Sequence, residues 1–118
     1  MTKFGDQFHD TLHLTSVRRE MSENERTAYV EDTRQRLGGL AARLEAALAA
    51  AQHNGQAAAG AFENAKTRFL TLHQQAGKVL EQILGEDADR WYSHQDKLED
   101  LLSQARQEAH TLESISRP

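Results

Sequence analysis

Apolar residues recur along most of this chain at alternating steps of three and four positions, the spacing of a helix face that packs against another helix. Gly38 and Gly39 interrupt the first of two such series and weaken that helix by roughly 1 kcal/mol each relative to Ala. The first series comprises Val30, Thr33, Leu37, Leu40, Leu44, Ala47 and Ala51, and the second comprises Ala58, Phe62, Ala65, Phe69, Leu72, Ala76, Val79 and Ile83. Both series are longer than one hairpin contact requires, so their large members are predicted to form an association seam: Leu37, Leu40, Leu44, Phe62, Phe69, Leu72, Val79 and Ile83.

Three long helices are predicted, at about 22–53, 56–84 and 88–115. The first begins at a capping box, in which Ser22 would accept from the Glu25 backbone N–H while the Glu25 side chain reaches back. Proline occurs once, and Ala, Leu, Glu, Gln and Arg are abundant, which favours helix throughout. Short connections would make neighbouring helices antiparallel.

The two turns between these helices have separate signals. His53, Asn54 and Gly55 are predicted to form the hairpin turn, because glycine tolerates the left-handed conformation that ends many helices. Asp87 and Asp89 follow the second helix and supply candidate N-caps for the third. The third helix would therefore begin near residue 88.

Residues 1–20 are predicted to form a short N-terminal helix or arm ahead of a helical bundle in residues 21–118. Phe4, Phe8 and Leu12 recur at i, i+4 and i+8, which favours a short amphipathic helix. The predicted fold class is all-α: an elongated antiparallel helical hairpin or three-helix bundle. One hairpin cannot bury both of its apolar sides, so either the third helix or a second chain must cover it.

Composition narrows the possible functions of these 118 residues. The chain lacks cysteine, which excludes disulfides, thiolate metal sites and a cysteine nucleophile. The formal net charge is −4 and no basic stripe is visible, so nucleic acid is not an expected partner. No apolar run approaches the roughly 20 residues of a membrane span, and no signal-peptide pattern is visible at the N-terminus. We expect a cytoplasmic protein, or one secreted by a route independent of a signal peptide.

The hairpin turn and the segment after the second helix resemble a known family. Residues 53–55 (His-Asn-Gly) precede an Ala-rich stretch that ends at Phe62, and Tyr92 and Asp96 fit the spelling Tyr-x-x-x-Asp. In these features the chain resembles the Trp-x-Gly, or early-secreted-antigen-like, family of small helical hairpins, with His in place of the Trp. Members are substrates and partners of bacterial type VII secretion systems. The resemblance implies dimerisation through the hairpin and an export signal that contains Tyr92 and Asp96.

Trp91 and Tyr92 allow two interpretations. Trp91 could cap one end of the bundle, since tryptophan is usually largely buried. Alternatively, Trp91 and Tyr92 could form an exposed contact for a partner, where both residue types are enriched. We include Trp91 with Tyr92 and Asp96 among the candidate partner or export residues.

Metal binding and catalysis have little support in the sequence. His9 and His13 are spaced i, i+4, as zinc ligands on a helix are, but a site needs a third ligand. Ser93 and His94 are adjacent, so on a helix their side chains diverge and cannot pair for nucleophilic catalysis. We therefore predict no catalytic residue, no cofactor and no metal site.

Three functional hypotheses remain. The first is a non-enzymatic helical interaction protein, associated with type VII secretion, that forms a homodimer or pairs with a helical partner protein. The second is a cytoplasmic coiled-coil adaptor, chaperone or regulator that binds a partner helix in a groove. The third is a metal-binding bundle that uses histidine and carboxylate ligands.

Overall fold

The chain forms an up-down-up bundle of three helices, which confirms the predicted all-α class. The computed structural model describes residues 3–117, with side chains from residue 22 onward. The third helix packs along both of the others and covers the hairpin, which resolves the alternatives left open by the sequence. The elements in chain order are α1 (Lys3–His53), α2 (Gly60–Gly85), a 3-10 helix (Trp91–His94) and α3 (Gln95–Ser116).

The core follows the two apolar series and continues into α3. Six of the eight predicted seam residues are buried, while Leu44 and Leu72 are only partly buried. All eight belong to, or pack against, one core that also contains residues of α3, so the bundle itself uses this seam. It therefore gives no structural argument for a second copy. The core residues that α3 and the 3-10 helix add are Trp91, Leu98, Leu101, Leu102, Ala105, Ala109 and Leu112.

The hairpin turn has the predicted glycine at its predicted place. Gly55 adopts φ +72°, and its N–H donates to the Gln52 carbonyl at 3.3 Å, while Gln56 N–H donates to the Ala51 carbonyl at 2.7 Å. This pair of hydrogen bonds is the Schellman arrangement, which closes a helix on a left-handed residue. The connection continues to residue 59, so α2 begins at Gly60 and not near residue 56.

The start of α1 differs from the sequence prediction. The helix is continuous from Lys3, so residues 3–20 are the first part of α1 and Ser22 lies inside it. The Ser22 hydroxyl donates to the Ala88 carbonyl across the bundle instead of forming a capping box. No proline or glycine falls between residues 6 and 37, so no residue there forces the helix to stop. The side chains of Phe4, Phe8 and Leu12 lie outside the described residues.

The start of α3 also differs. The N–H groups of Arg90 and Trp91 both donate to the Asp87 carbonyl, at 2.9 and 3.1 Å, which makes a turn where a helix start was predicted. The 3-10 helix follows, and α3 begins at Gln95 without a side-chain cap. Asp87 and Asp89 therefore do not cap α3.

Helix α1 is about twice as long as its two neighbours. It has 51 residues, against 26 in α2 and 22 in α3. At 1.5 Å per residue these lengths are roughly 77, 39 and 33 Å. The α2–α3 connection lies beside Ser22 and Arg26, so α1 continues past it for roughly 28 Å. The molecule is accordingly a rod of 81 × 17 × 16 Å.

Candidate functional site

The predicted partner or export residues lie at the connection between α2 and α3, and Trp91 fastens that connection to α1. The indole is buried, with 3% of its surface exposed. Its Nε1–H is within hydrogen-bond distance of the Ser22 carbonyl and the Ser22 hydroxyl, at 3.1 and 3.0 Å. The ring also packs against Tyr29, with centroids 5.8 Å apart. Trp91 is therefore a structural residue at the bundle end, which agrees with the first of its two interpretations, and it is not an exposed contact.

Two polar contacts hold the rest of this connection. The Arg26 guanidinium donates to the Glu86 backbone carbonyl at 2.6 Å, which ties α1 to the end of α2. His94 Nε2 lies 3.2 Å from the Glu86 carboxylate. The hydrogen bond from His94, followed by one from the Asp87 backbone N–H, lowers the pKa of Glu86 below its usual range. The connection is therefore held by one side chain of α1 and one of the 3-10 helix.

Tyr92 and Asp96 both face solvent beside this buried anchor. The Tyr92 ring is 57% exposed, the largest exposure of any large apolar or aromatic side chain in residues 22–117. Asp96 is exposed in the first turn of α3. Tyr92 belongs to the 3-10 helix, so the two residues are not one turn apart on a single α-helix as the sequence suggested. They are accessible, whereas Trp91 is not.

A charged cluster joins α1 to α3 in the middle of the bundle. Arg36 donates to both carboxylate oxygens of Glu99, at 2.9 and 2.8 Å, and the Tyr29 hydroxyl donates to the same carboxylate at 2.6 Å. The hydrogen bond from Arg36 is the main reason that the pKa of Glu99 is lowered. Burial, then the hydrogen bond to Glu99, raises the pKa of Tyr29 to about 12. Asp32 also lies 3.0 Å from Arg36, on the same helix.

A second bidentate pair lies two turns further along α1. Arg43 donates to both carboxylate oxygens of Glu113, at 3.0 and 2.5 Å, and this hydrogen bonding lowers the pKa of Glu113. The sequence analysis missed these pairs. A signal for them was present, because Arg36 and Arg43 are seven residues apart, a repeat that returns to the same face of a packed helix. This seven-residue spacing does not predict the register between α1 and α3, and the register decides which glutamate each arginine meets.

Two of the four histidines in the described region, His73 and His94, have structural partners. His73 Nε2 lies 2.9 Å from the Leu37 carbonyl, and its ring stacks on Phe69. Among the residues that the structure describes, no three His, Cys, Asp or Glu side chains converge where a metal ion would bind. His9 and His13, the pair that suggested a metal, lie outside the described side chains.

None of the helices in the part of the chain that the structure describes combines the length and the apolar character of a membrane span. Comparison with family models, with curated proteins and with solved structures returned no match for this chain.

Proposed function

We propose that this chain is a non-enzymatic helical interaction protein whose partner is a second protein chain, first of all another copy of itself. The observation that carries the proposal is the length of α1, which continues roughly 28 Å past the α2–α3 connection. Neither α2 nor α3 is long enough to lie beside that stretch. Its sequence repeats apolar residues at Phe4, Phe8 and Leu12, and an amphipathic helix of this kind packs on a partner helix.

Sedimentation equilibrium of the full chain tests this role. We expect a concentration-dependent dimer, and we expect the double substitution Phe4→Ser/Phe8→Ser to shift the equilibrium to monomer without changing the helical content. Leu70→Ser is the matched control, because Leu70 is 48% exposed on α2, beside the bundle and far from the α1 extension. A wild type that stays monomeric at every accessible concentration would remove the main support for self-association.

Secretion by a type VII system is the more specific form of the proposal. Two features support it: the turn at Gly55 has the geometry that a tight helical hairpin needs, and Tyr92 and Asp96 are exposed. Both side chains are free to meet a recognition protein, while the neighbouring Trp91 maintains the fold. The chain differs from the hairpin family that it resembles in two respects: it has a third helix, and His53 stands where the family has Trp.

An export assay with the double variant Tyr92→Ala/Asp96→Ala tests the secretion proposal. We expect the variant to remain soluble and helical, within about 0.5–1 kcal/mol of wild type because both residues are exposed, yet to fail in export by cells that export the wild type. Glu81→Ala, another exposed acidic residue, is the control and should be exported normally. Normal export of the double variant would contradict the signal hypothesis, whereas a wild type that such cells do not export would favour the cytoplasmic adaptor.

A further inference from the structure

A slot of about 290 Å³ lies between α1 and α3 in the middle of the bundle. Arg36 and Arg43 line it from α1 and are seven residues apart, so they stand roughly 10.5 Å apart along the helix axis. Arg36 pairs with Glu99 and Arg43 with Glu113, fourteen residues further along α3. The two arginines therefore lean away from each other, toward opposite ends of α3. The paired side chains of Arg36 and Arg43 thus flank the slot, which favours a compact ligand over an extended peptide.

Arg106 is the third arginine that lines the slot, and unlike Arg36 and Arg43 it has no ion-pair partner among the described residues. It lies on α3 seven residues after Glu99 and seven before Glu113, in the middle of the same charged row. Within the part of the chain that the structure describes, it makes no ion pair and no side-chain hydrogen bond. At the centre of this row lies an exposed arginine whose charge acts on Glu99, which also lines the slot, without a hydrogen bond or ion pair to it.

Gly39 lines the slot from α1, between Arg36 and Arg43. A Cβ built on Gly39 would meet nothing within 4 Å, and the residue has no positive φ, so neither close packing nor backbone conformation requires glycine here. Its effect is to leave open the space that a side chain would occupy, although glycine disfavours helix. The open space and the unmatched charge of Arg106 belong to the same slot.

Apolar surface completes the slot. Leu40 and Leu102 lie in its wall, almost fully buried at 7% and 5% exposure, and Ser103 adds a hydroxyl beside Arg106. We propose that the slot binds a small amphiphilic carboxylate, whose carboxylate pairs with Arg106 and whose short alkyl chain lies on Leu40 and Leu102. Guanidinium groups bind carboxylates with two parallel hydrogen bonds, which gives this ligand class its orientation. The inference does not depend on the proposed interaction role.

Octanoate is a suitable probe, because it joins a carboxylate to a short alkyl chain. In a two-dimensional NMR titration of the full chain, we expect saturable shifts of the Gly39 and Ser103 amide signals. Octanol, which has the chain without the charge, should not produce them. Arg106→Gln should weaken octanoate binding by about tenfold, the loss expected for one charged hydrogen-bonded contact.

The glycine pair supplies a matched set of variants. Gly39→Glu would place a carboxylate of the chain itself opposite Arg106, so it should raise the thermal midpoint and abolish octanoate binding. Gly38→Glu gains the same helix propensity and adds the same charge, but Gly38 does not line the slot, so binding should persist. Circular dichroism checks that both variants are folded.

Three results would overturn the proposal. The first is a titration in which octanoate shifts neither signal. The second is octanol binding as tightly as octanoate, which would show an apolar site without an anion partner. The third is equal octanoate binding by folded Gly39→Glu and Gly38→Glu, which would place the ligand away from Gly39.

Discussion

Trp91 connects two segments that are nearly seventy residues apart in the sequence, and it does so with both its ring and its N–H group. A buried donor or acceptor that loses its partner lowers the free energy of unfolding more than the loss of an exposed hydrogen bond does. The Ser22 carbonyl and hydroxyl are the acceptors here. The indole therefore contributes a specific hydrogen bond in addition to the burial of a large apolar surface.

Substitution of Trp91 by phenylalanine keeps an aromatic ring but removes the indole N–H and a modest part of the buried volume. We expect Trp91→Phe to lower the free energy of unfolding by about 1–3 kcal/mol. Tyr92→Phe, at the exposed neighbour, should change it by less than about 0.5 kcal/mol. Urea denaturation followed by circular dichroism measures both. Equal midpoints for the two variants would mean that the indole N–H does not hold the connection.

Tyr29 offers a residue-scale test in solution, because the chain has only two tyrosines. In a Tyr92→Phe background, phenolate absorbance reports Tyr29 alone, and we expect its pKa near 12. The folded state holds this proton more tightly than the unfolded state, so the stability it contributes is complete below pH 10 and is lost as the pH rises toward 12.

Glu99→Gln is the control for the Tyr29 titration. It removes the negative charge that accepts the Tyr29 hydrogen bond, so the absorbance midpoint should move down. A midpoint that stays the same would show that burial alone sets the pKa of Tyr29.

At the scale of the helix, the glycines of α1 and of the hairpin turn have opposite roles. A Cβ at Gly38 would meet nothing within 4 Å, whereas Gly55 adopts φ +72°. Alanine at an exposed helical glycine gains helix propensity, and alanine in the left-handed region is strained. The same chemical change is therefore expected to act in opposite directions at the two positions.

We expect Gly38→Ala to raise the free energy of unfolding by about 1 kcal/mol and Gly55→Ala to lower it by about as much. Thermal unfolding monitored at 222 nm compares the two variants with wild type. Destabilisation by Gly38→Ala would contradict the open surroundings of that residue. Stabilisation by Gly55→Ala would contradict its left-handed conformation.

The buried positions of the helices could be predicted from the sequence, whereas two of the helix starts could not. The heptad spacing identified buried residues such as Phe62 and Ile83, because burial on one face repeats along the chain. The cap signal at Ser22 was misleading, because that side chain bonds across the bundle to Ala88. The start of α3 was also misplaced, since Trp91 is held by α1 and the turn before it is closed by the Asp87 carbonyl. The partners across the bundle, Ser22 with Ala88 and with Trp91, are distant in sequence, and no local pattern indicates them.

At the scale of the whole molecule, two features could not be predicted from the sequence. One is which element covers the hairpin, and the other is the register between α1 and α3. Both depend on contacts between segments more than sixty residues apart, such as Arg36 with Glu99 and Arg43 with Glu113. These pairs fix the register of two parallel helices. Composition and periodicity predicted three helices, but the slot around Arg106 exists only once that register is set.

The rod shape governs how this molecule moves in solution. Its radius of gyration is 21.3 Å, whereas a compact chain of this length has about 13 Å. A single copy will elute early from a gel-filtration column calibrated with globular standards and be mistaken for a larger species. Its rotation is also unequal about different axes. Helical N–H bonds run along the rod and reorient only by slow end-over-end tumbling, so their nuclear spin relaxation will differ from that of N–H bonds in the connections, which point across it.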